Sequence, residues 1–361
     1  MQEAGKAISS MWCQCGIPSL AFHEAEVCEI GPGGGWNALA LFMIGRGGIK
    51  HIDFIEPTTK GQQDLKWLYQ SRKIPSDKYN IYPCVVEDFA ENKQYDIVIA
   101  EGFLDDMNNQ EEIIRKLSSM CRPGGIIVVT CADSVGYFVE IMKRLMAQVL
   151  AKDIEDFEEK VEFLTKFFEP QLKTLKGCSR PARDWVLDCI MWSSINNKYS
   201  FDLNKALDLL KKEFYVLGSS PNLFTDYSWY QDVWHDTVLE YKKQFSVKRM
   251  SLLMAGMRET ESQEETVNKL VCFFDDIRDV EFKYEETRDE KYIVAIEDML
   301  CKISPMIKKA DNHFFTVFQQ IQLSLRDISL NQFDISKYPQ FFQAFGRSQQ
   351  YIAFEKKNLN E

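Results

Sequence analysis

Three stretches of this 361-residue chain carry residue types that could do chemistry together. The first is Glu29-Ile30-Gly31-Pro32-Gly33-Gly34-Gly35-Trp36-Asn37, set between the apolar Val27-Cys28 and the helical Ala38-Leu39-Ala40-Leu41. A glycine loop between a strand and a helix lets the backbone approach a nucleotide-like ligand closely, because no Cβ holds it off. The second is Glu56, about 20 residues beyond the loop, where an acidic side chain at a strand end can accept from both hydroxyls of a ribose. The third is Glu87-Asp88-Phe89, a carboxylate beside an apolar ring after a further apolar run. The loop departs from the dinucleotide pattern G-x-G-x-x-G, because Trp36 stands at the sixth position, and an NADP site would prefer Arg to Glu56.

The elements that must position these residues are legible from periodicity. Ile- and Val-rich runs at 27–30, 52–55, 81–86, 97–100 and 126–129 predict five strands, separated by amphipathic helical stretches. Near-continuous apolar strands alternating with helices imply a parallel sheet covered on both faces. Right-handed crossovers make such a sheet doubly wound, with ligands outside the carboxyl ends of its strands. Beyond residue 137 the pattern turns helical to 177, breaks at 178–184, resumes to 212 and yields a strand at 214–218, closed by the turn residues Ser219-Ser220-Pro221-Asn222. Residues 231–341 read as helix, and their charge-rich segments 259–265 and 281–291 are expected to face solvent. Residues 349–354 alternate with period two, which predicts a last strand.

In order and spacing, four landmarks resemble the class I S-adenosylmethionine-dependent methyltransferases over residues 25–133. They are the E-x-G-x-G-x-G string of Glu29 to Gly35, Glu56, Val86-Glu87-Asp88-Phe89, and Tyr95 to Glu101 followed by the Arg122-Pro123-Gly124-Gly125 turn. The resemblance implies a Rossmann-like, seven-stranded α/β methyltransferase sheet with large helical insertions and S-adenosylmethionine as cofactor. It implies that Glu29, Gly31, Gly33 and Gly35 lie around the amino acid part of the cofactor and that Glu56 binds its ribose. Asp88 and Phe89 would meet the adenine amino group and ring, with Glu101 at the fourth strand end. The family's sixth strand and antiparallel seventh would be 214–218 and 350–354. Residues 1–136 would then form the cofactor-binding core and 137–212 a helical insertion acting as a lid. The sixth strand and turn would be 213–229, a second helical insertion or domain 230–344, and the returning strand 345–361. The combination of Arg183-Asp184-Trp185, Gly218-Ser219-Ser220-Pro221 and Asp226-Tyr227-Ser228-Trp229-Tyr230 is similar to a bacterial group associated with surface polysaccharide and sugar-pathway clusters.

The function so implied is methyl transfer to oxygen or nitrogen of a small-molecule or glycan acceptor. Transfer or cyclisation of the aminocarboxypropyl arm is an alternative, and a non-catalytic cofactor-binding interaction subunit is another. A hydroxyl acceptor needs a base to take its proton, for which Glu101, Asp133, Asp226 and His235 are the candidates. Each has a plainer role: Asp133 can cap a helix beside Ser134, Asp226 can make a turn, and His235 can sit on an amphipathic helix. The aromatic residues Phe224, Tyr227, Trp229, Tyr230 and Trp234 can stack on an acceptor or fill a core. Arg180 and Arg183 can clamp an anion or pair at the surface.

Composition narrows the classes. With 45% hydrophobic and 27% charged residues, 18 Gly and 11 Pro, the chain is an ordinary globular protein rather than a collagen or a low-complexity chain. A net charge of −11 argues against nucleic acid as the partner. Ten cysteines include one close pair, Cys13 and Cys15, and the four histidines share no ligand spacing, so no metal site is expected. Cys28, Cys84, Cys121, Cys131 and Cys189 lie among apolar neighbours, as reduced core thiols do. No apolar stretch nears the ~20 residues of a membrane span, and residues 1–15 lack a secretory signal pattern. The expectation is a cytoplasmic protein, with the helical insertions available for homodimer contacts.

Overall fold

A computed structural model describes residues 9–42, 48–90, 92–175, 180–191, 201–225, 237–255, 260–330 and 332–358. Strands β1 (Glu26–Ile30), β2 (His51–Ile55), β3 (Tyr79–Tyr82), β4 (Tyr95–Ala100), β5 (Cys121–Ala132), β6 (Phe214–Ser220) and β7 (Gln349–Lys356) join in one seven-stranded sheet of order β3-β2-β1-β4-β5-β7-β6. The first five strands pair in parallel. β7 runs antiparallel between β5 and β6, so the chain end fills a slot in the sheet beside 214–218. This is the doubly wound, seven-stranded α/β sheet read from the sequence. Its strand order reverses between β1 and β4, which marks their carboxyl ends as the ligand crevice of such folds.

One strand is shorter than its apolar run. Residues 81–86 read as β3, yet the strand stops at Tyr82 and residues Val86–Asp88 form a 3-10 turn. Pro83 has no N–H to give the ladder, and the Cys84 N–H turns back to the Tyr82 carbonyl at 3.0 Å.

The chain divides into two compact units. The sheet unit comprises Met1–Ala132, Phe201–Gln244 and Gln349–Glu361. One face of its sheet buries Val27, Ile52, Phe54, Ile97, Ile99 and Val128 beneath Leu65, Leu68 and Tyr69 of helix α1 (Thr59–Ser71). At the amino ends of the strands, the buried Asp53 receives bonds from Lys93 at 2.9 Å, Tyr95 at 2.7 Å and Asn80 at 2.8 Å. Burial alone would raise that carboxyl; the three donors hold it below its ordinary value. Helix α2 (Gln110–Met120) has Ile113, Ile114 and Leu117 buried and packs on β4 and β5.

The helical unit comprises Asp133–Ser200 and Phe245–Ser348. Its centre is helix α3 (Ser134–Leu150), buried nearly all round, which explains an apolar pattern broader than a single stripe. Helix α4 (Phe157–Leu172) follows it, and α5 (Glu264–Thr287), α6 (Lys291–Ala310) and α7 (Phe314–Ser329) come later in the chain. The charge-rich 281–291 segment does not lie wholly in solvent as its composition predicts. Glu281 is fully buried and Glu285 half-buried, because Arg144 of α3 bonds Glu285 at 2.8 Å and Gln148 bonds Glu281 at 2.6 Å. A buried guanidinium draws these acids inward, since a charge removed from water needs a partner. Among the described residues no helix is long and apolar enough to cross a membrane, and no group of three or more His, Cys, Asp or Glu could hold a metal ion.

Candidate functional site

The glycine loop leaves β1 with three left-handed residues, Gly31, Gly33 and Gly35, at φ of 66°, 54° and 70°. Two of them serve different ends. A Cβ on Gly35 would stand 2.3 Å from Leu65 and 3.3 Å from Tyr69, so this glycine lets α1 pack against the loop. A Cβ on Gly33 would meet nothing within 4 Å, so it faces open space from a backbone conformation that side chains disfavour. That combination fits a cradle for a ligand lying against main chain.

Glu56 follows β2 and is buried. Its Oε2 accepts from the Gly33 N–H at 3.2 Å, and its Oε1 accepts from the Thr58 N–H at 2.9 Å and hydroxyl at 2.5 Å. Thr58 is the N-cap of α1, with its side chain accepting from the Gly61 N–H. A Cβ on Gly61 would stand 2.6 Å from the Glu56 carboxyl carbon, so the first turn of the helix closes on the carboxylate only because residue 61 has none.

Register explains the next cluster. Glu29 lies opposite Ile99 on β4, Ile99 opposite Val128 on β5, and Thr130 opposite Tyr351 on β7. Side chains two positions apart share a face, so Glu29, Glu101, Thr130 and Tyr351 all project from one side of the sheet. Glu101 Oε1 accepts from Asn37 Nδ2 at 2.8 Å and from the Tyr351 hydroxyl at 2.5 Å. Burial raises its carboxyl nonetheless. Glu29 is 3% exposed, and its Oε2 has no partner among the described residues. Burial and the neighbouring Glu101 push it up to about 8. The Gly102 N–H donates to Thr130 Oγ1 at 2.6 Å, and a Cβ on Gly102, at φ 76°, would also enter open space.

Asp88 is exposed in the turn after β3, whereas Phe89 is buried with its ring edge-on to Tyr82 at 4.9 Å. In the turn after β4, Asp105 is half-buried, and burial together with Asp106 pushes its carboxyl up to about 6. Asn37, Tyr69, Asp105, Thr130 and Tyr351 carry no motif that marks them in the sequence. Asn37 lay in the loop string and Tyr351 in the terminal alternation, but neither carries a spacing that names its partner.

The base candidates separate. Glu101 joins the cluster just described. Asp133 belongs to the helical unit and is an N-cap of α3, accepting from the Val135 N–H at 2.8 Å and pairing with Arg249 at 2.7 Å. Asp226 and His235 lie outside the described residues, as do Tyr227, Trp229, Tyr230 and Trp234. Phe224 meets Tyr241 edge-on at 5.9 Å. Arg183 pairs with Glu158 at 2.7 Å, and Arg180 pairs with Asp188.

Residues 15–173 match the Methyltransf_23 family model, a methyltransferase domain. No curated protein sequence matches the chain. Among solved structures, it is similar to a putative sarcosine dimethylglycine methyltransferase from Galdieria sulphuraria, at 11% identity and TM-score 0.41, covering 98% of this chain and 84% of that one. It is similar to PKMT2 from Rickettsia typhi in complex with AdoHcy, at 15% identity and TM-score 0.43, covering 68% of this chain and 50% of that one. It is also similar to the N-methyltransferase NodS from Bradyrhizobium japonicum in complex with S-adenosyl-L-homocysteine, at 17% identity and TM-score 0.30, covering 37% of this chain and 62% of that one. The chain thus spans half of PKMT2 and less than two thirds of NodS. The matched residues 15–173, which hold the glycine loop, Glu56 and β1 to β5, are thus similar to a methyltransferase domain.

Proposed function

We propose that the protein is an S-adenosylmethionine-dependent methyltransferase acting on oxygen or nitrogen of a small-molecule or glycan acceptor. The observation that supports this best is the cradle at the carboxyl ends of β1, β2 and β4. A Cβ on Gly33 or on Gly102 would enter open space; the Gly33 N–H bonds the buried Glu56, and the half-buried Glu101 bonds Asn37 of the loop. When bound, the cofactor supplies a methyl group activated on a cationic sulfur.

In this reading Gly31, Gly33 and Gly35 let main chain lie against the amino acid part, and Glu56 accepts from the ribose hydroxyls in place of its Thr58 bonds. Glu29 and Glu101 face the ammonium. Asp88 accepts from the adenine amino group, and Phe89 backs that turn from inside the core rather than offering a free ring face. Asp105, raised to about 6 and so mostly ionised at neutral pH, is the group suited to take the acceptor's proton, whereas Asp133 is committed to its cap and to Arg249. Alignment and exclusion of water supply much of the rate in such a transfer.

The test is calorimetry with S-adenosylhomocysteine and NAD, followed by product analysis with acceptors screened by mass shift. Binding of S-adenosylhomocysteine and its release as product support methyl transfer. Methylthioadenosine as product would indicate the aminocarboxypropyl reaction, and tight NAD binding without a response to S-adenosylhomocysteine would overturn the assignment.

A further inference from the structure

Glu29, buried in β1, and Glu101, half-buried just beyond β4, stand on adjacent parallel strands and on one face. Two carboxylates so placed cannot both stay ionised. Their surroundings decide which keeps the proton. Glu101 receives two donors, from Asn37 and Tyr351, and hydrogen bonds to a carboxylate favour its charged form. Glu29 Oε2 receives none among the described residues. The Tyr69 hydroxyl of α1, also fully buried, is likewise without a partner there. Its ring lies edge-on to Phe54 at 5.3 Å, and Phe54 is the register partner of Glu29 on β2, so both groups belong to one face.

We propose that binding of the cofactor expels a proton from Glu29, an inference that rests on the cofactor assignment above. Among the described residues, the groups facing Glu29 are the Glu101 carboxyl from the end of β4, the Tyr69 phenol from α1 and, through Glu101, the Tyr351 phenol from β7. The Cys28 thiol is its neighbour in β1. None of these is a cation. In the free protein the proton the two carboxyls share therefore rests on Glu29 rather than on the doubly hydrogen-bonded Glu101. Burial raises both carboxyls; Glu29, which also faces Glu101, is pushed up to about 8, while the Tyr351 and Asn37 donors counter the rise at Glu101. An ammonium placed between the two reverses the balance: the Glu29 O–H bond breaks, the proton leaves to solvent, and N–H donors take its place. No other bond changes. The positive charge of the amino acid part thus becomes a requirement for tight binding, and affinity becomes dependent on pH.

Calorimetry of S-adenosylhomocysteine binding in two buffers of different ionisation enthalpy, between pH 6 and 8, counts the protons exchanged. The expected result is release of most of one proton at the lower pH, with affinity rising up to about tenfold per pH unit below the Glu29 value. Glu29→Gln, which keeps the shape of the neutral acid but cannot ionise, should bind more weakly, without proton release and with flat pH dependence. Infrared difference spectra should lose a protonated-carboxyl band on binding, and that band should be missing from the variant. Binding by the wild type with no proton release and no band change, or an unchanged proton count in Glu29→Gln, overturns the proposal while leaving the cofactor assignment intact. No binding of S-adenosylhomocysteine at all overturns both.

Discussion

The hydroxyl of Tyr351 donates to Glu101 Oε1 at 2.5 Å, joining residues 250 positions apart at the ends of β7 and β4. The last strand of the chain is therefore part of the candidate site as well as of the sheet. Tyr351→Phe should weaken S-adenosylhomocysteine binding by about 1–3 kcal/mol, the usual range for a hydrogen bond to a charged group, with little loss of melting temperature. Truncation after Phe345 should do far more, because removing β7 leaves β5 and β6 facing each other across an unpaired gap. Loss of both melting temperature and affinity is expected; a truncated protein that keeps both would detach β7 from the site.

The loop glycines should fail differently. Gly33→Val should abolish cofactor binding at a modest cost in stability, since its side chain enters open space from a left-handed backbone. Gly35→Ala should lower the melting temperature, because Leu65 must move to admit the methyl, at about 1–3 kcal/mol. Thermal denaturation and calorimetry on both variants separate the two effects.

Glu56→Ala should weaken cofactor binding by about 1–3 kcal/mol. Some stability should also be lost, since the Thr58 and Gly33 N–H groups lose their acceptor. If the variant unfolds while binding stays normal, the ribose role is wrong.

Asp133→Ala should behave as a structural lesion. Loss of the N-cap of α3 costs about 0.5–2 kcal/mol, and the ion pair with Arg249 goes with it. Cofactor affinity of the folded fraction should be unchanged; a selective loss of turnover at full stability would instead return Asp133 to catalysis.

Asp53 makes a pH-dependent contribution at the opposite sheet end. Its folded-state carboxyl lies below the ordinary value, so its stabilisation is present above pH ~4 and lost as pH falls through the depressed value. Asp53→Asn should therefore be less stable than wild type at neutral pH, with the difference shrinking in acid. Urea unfolding at pH 7 and pH 3 reads this, and a constant difference would remove Asp53 from the acid response.

What local pattern could specify was legible in the chain alone. Ile- and Val-rich runs named β1, β2, β4 and β5, period-two alternation named β7, and the loop with Glu56 named one side of the cradle, because each is a property of neighbours in sequence. Pro83 cuts β3 short of its apolar run, because the missing N–H outweighs the hydrophobicity of residues 83–86. The remainder depended on long-range placement. Glu281 reads as solvent-facing until Arg144, from another helix, stands beside it. Asp133 reads in sequence as a cap or a base until Arg249 occupies its second oxygen. Glu29 is a loop-flanking acid in sequence, and only the register of β1 with β4 sets it against Glu101. Tyr351 has no sequence signal for its role, since a hydrogen bond between residues 250 apart exists only once β7 has entered between β5 and β6. Burial and partner, which decide protonation and hydrogen bonding, are properties of the assembled sheet and not of any segment.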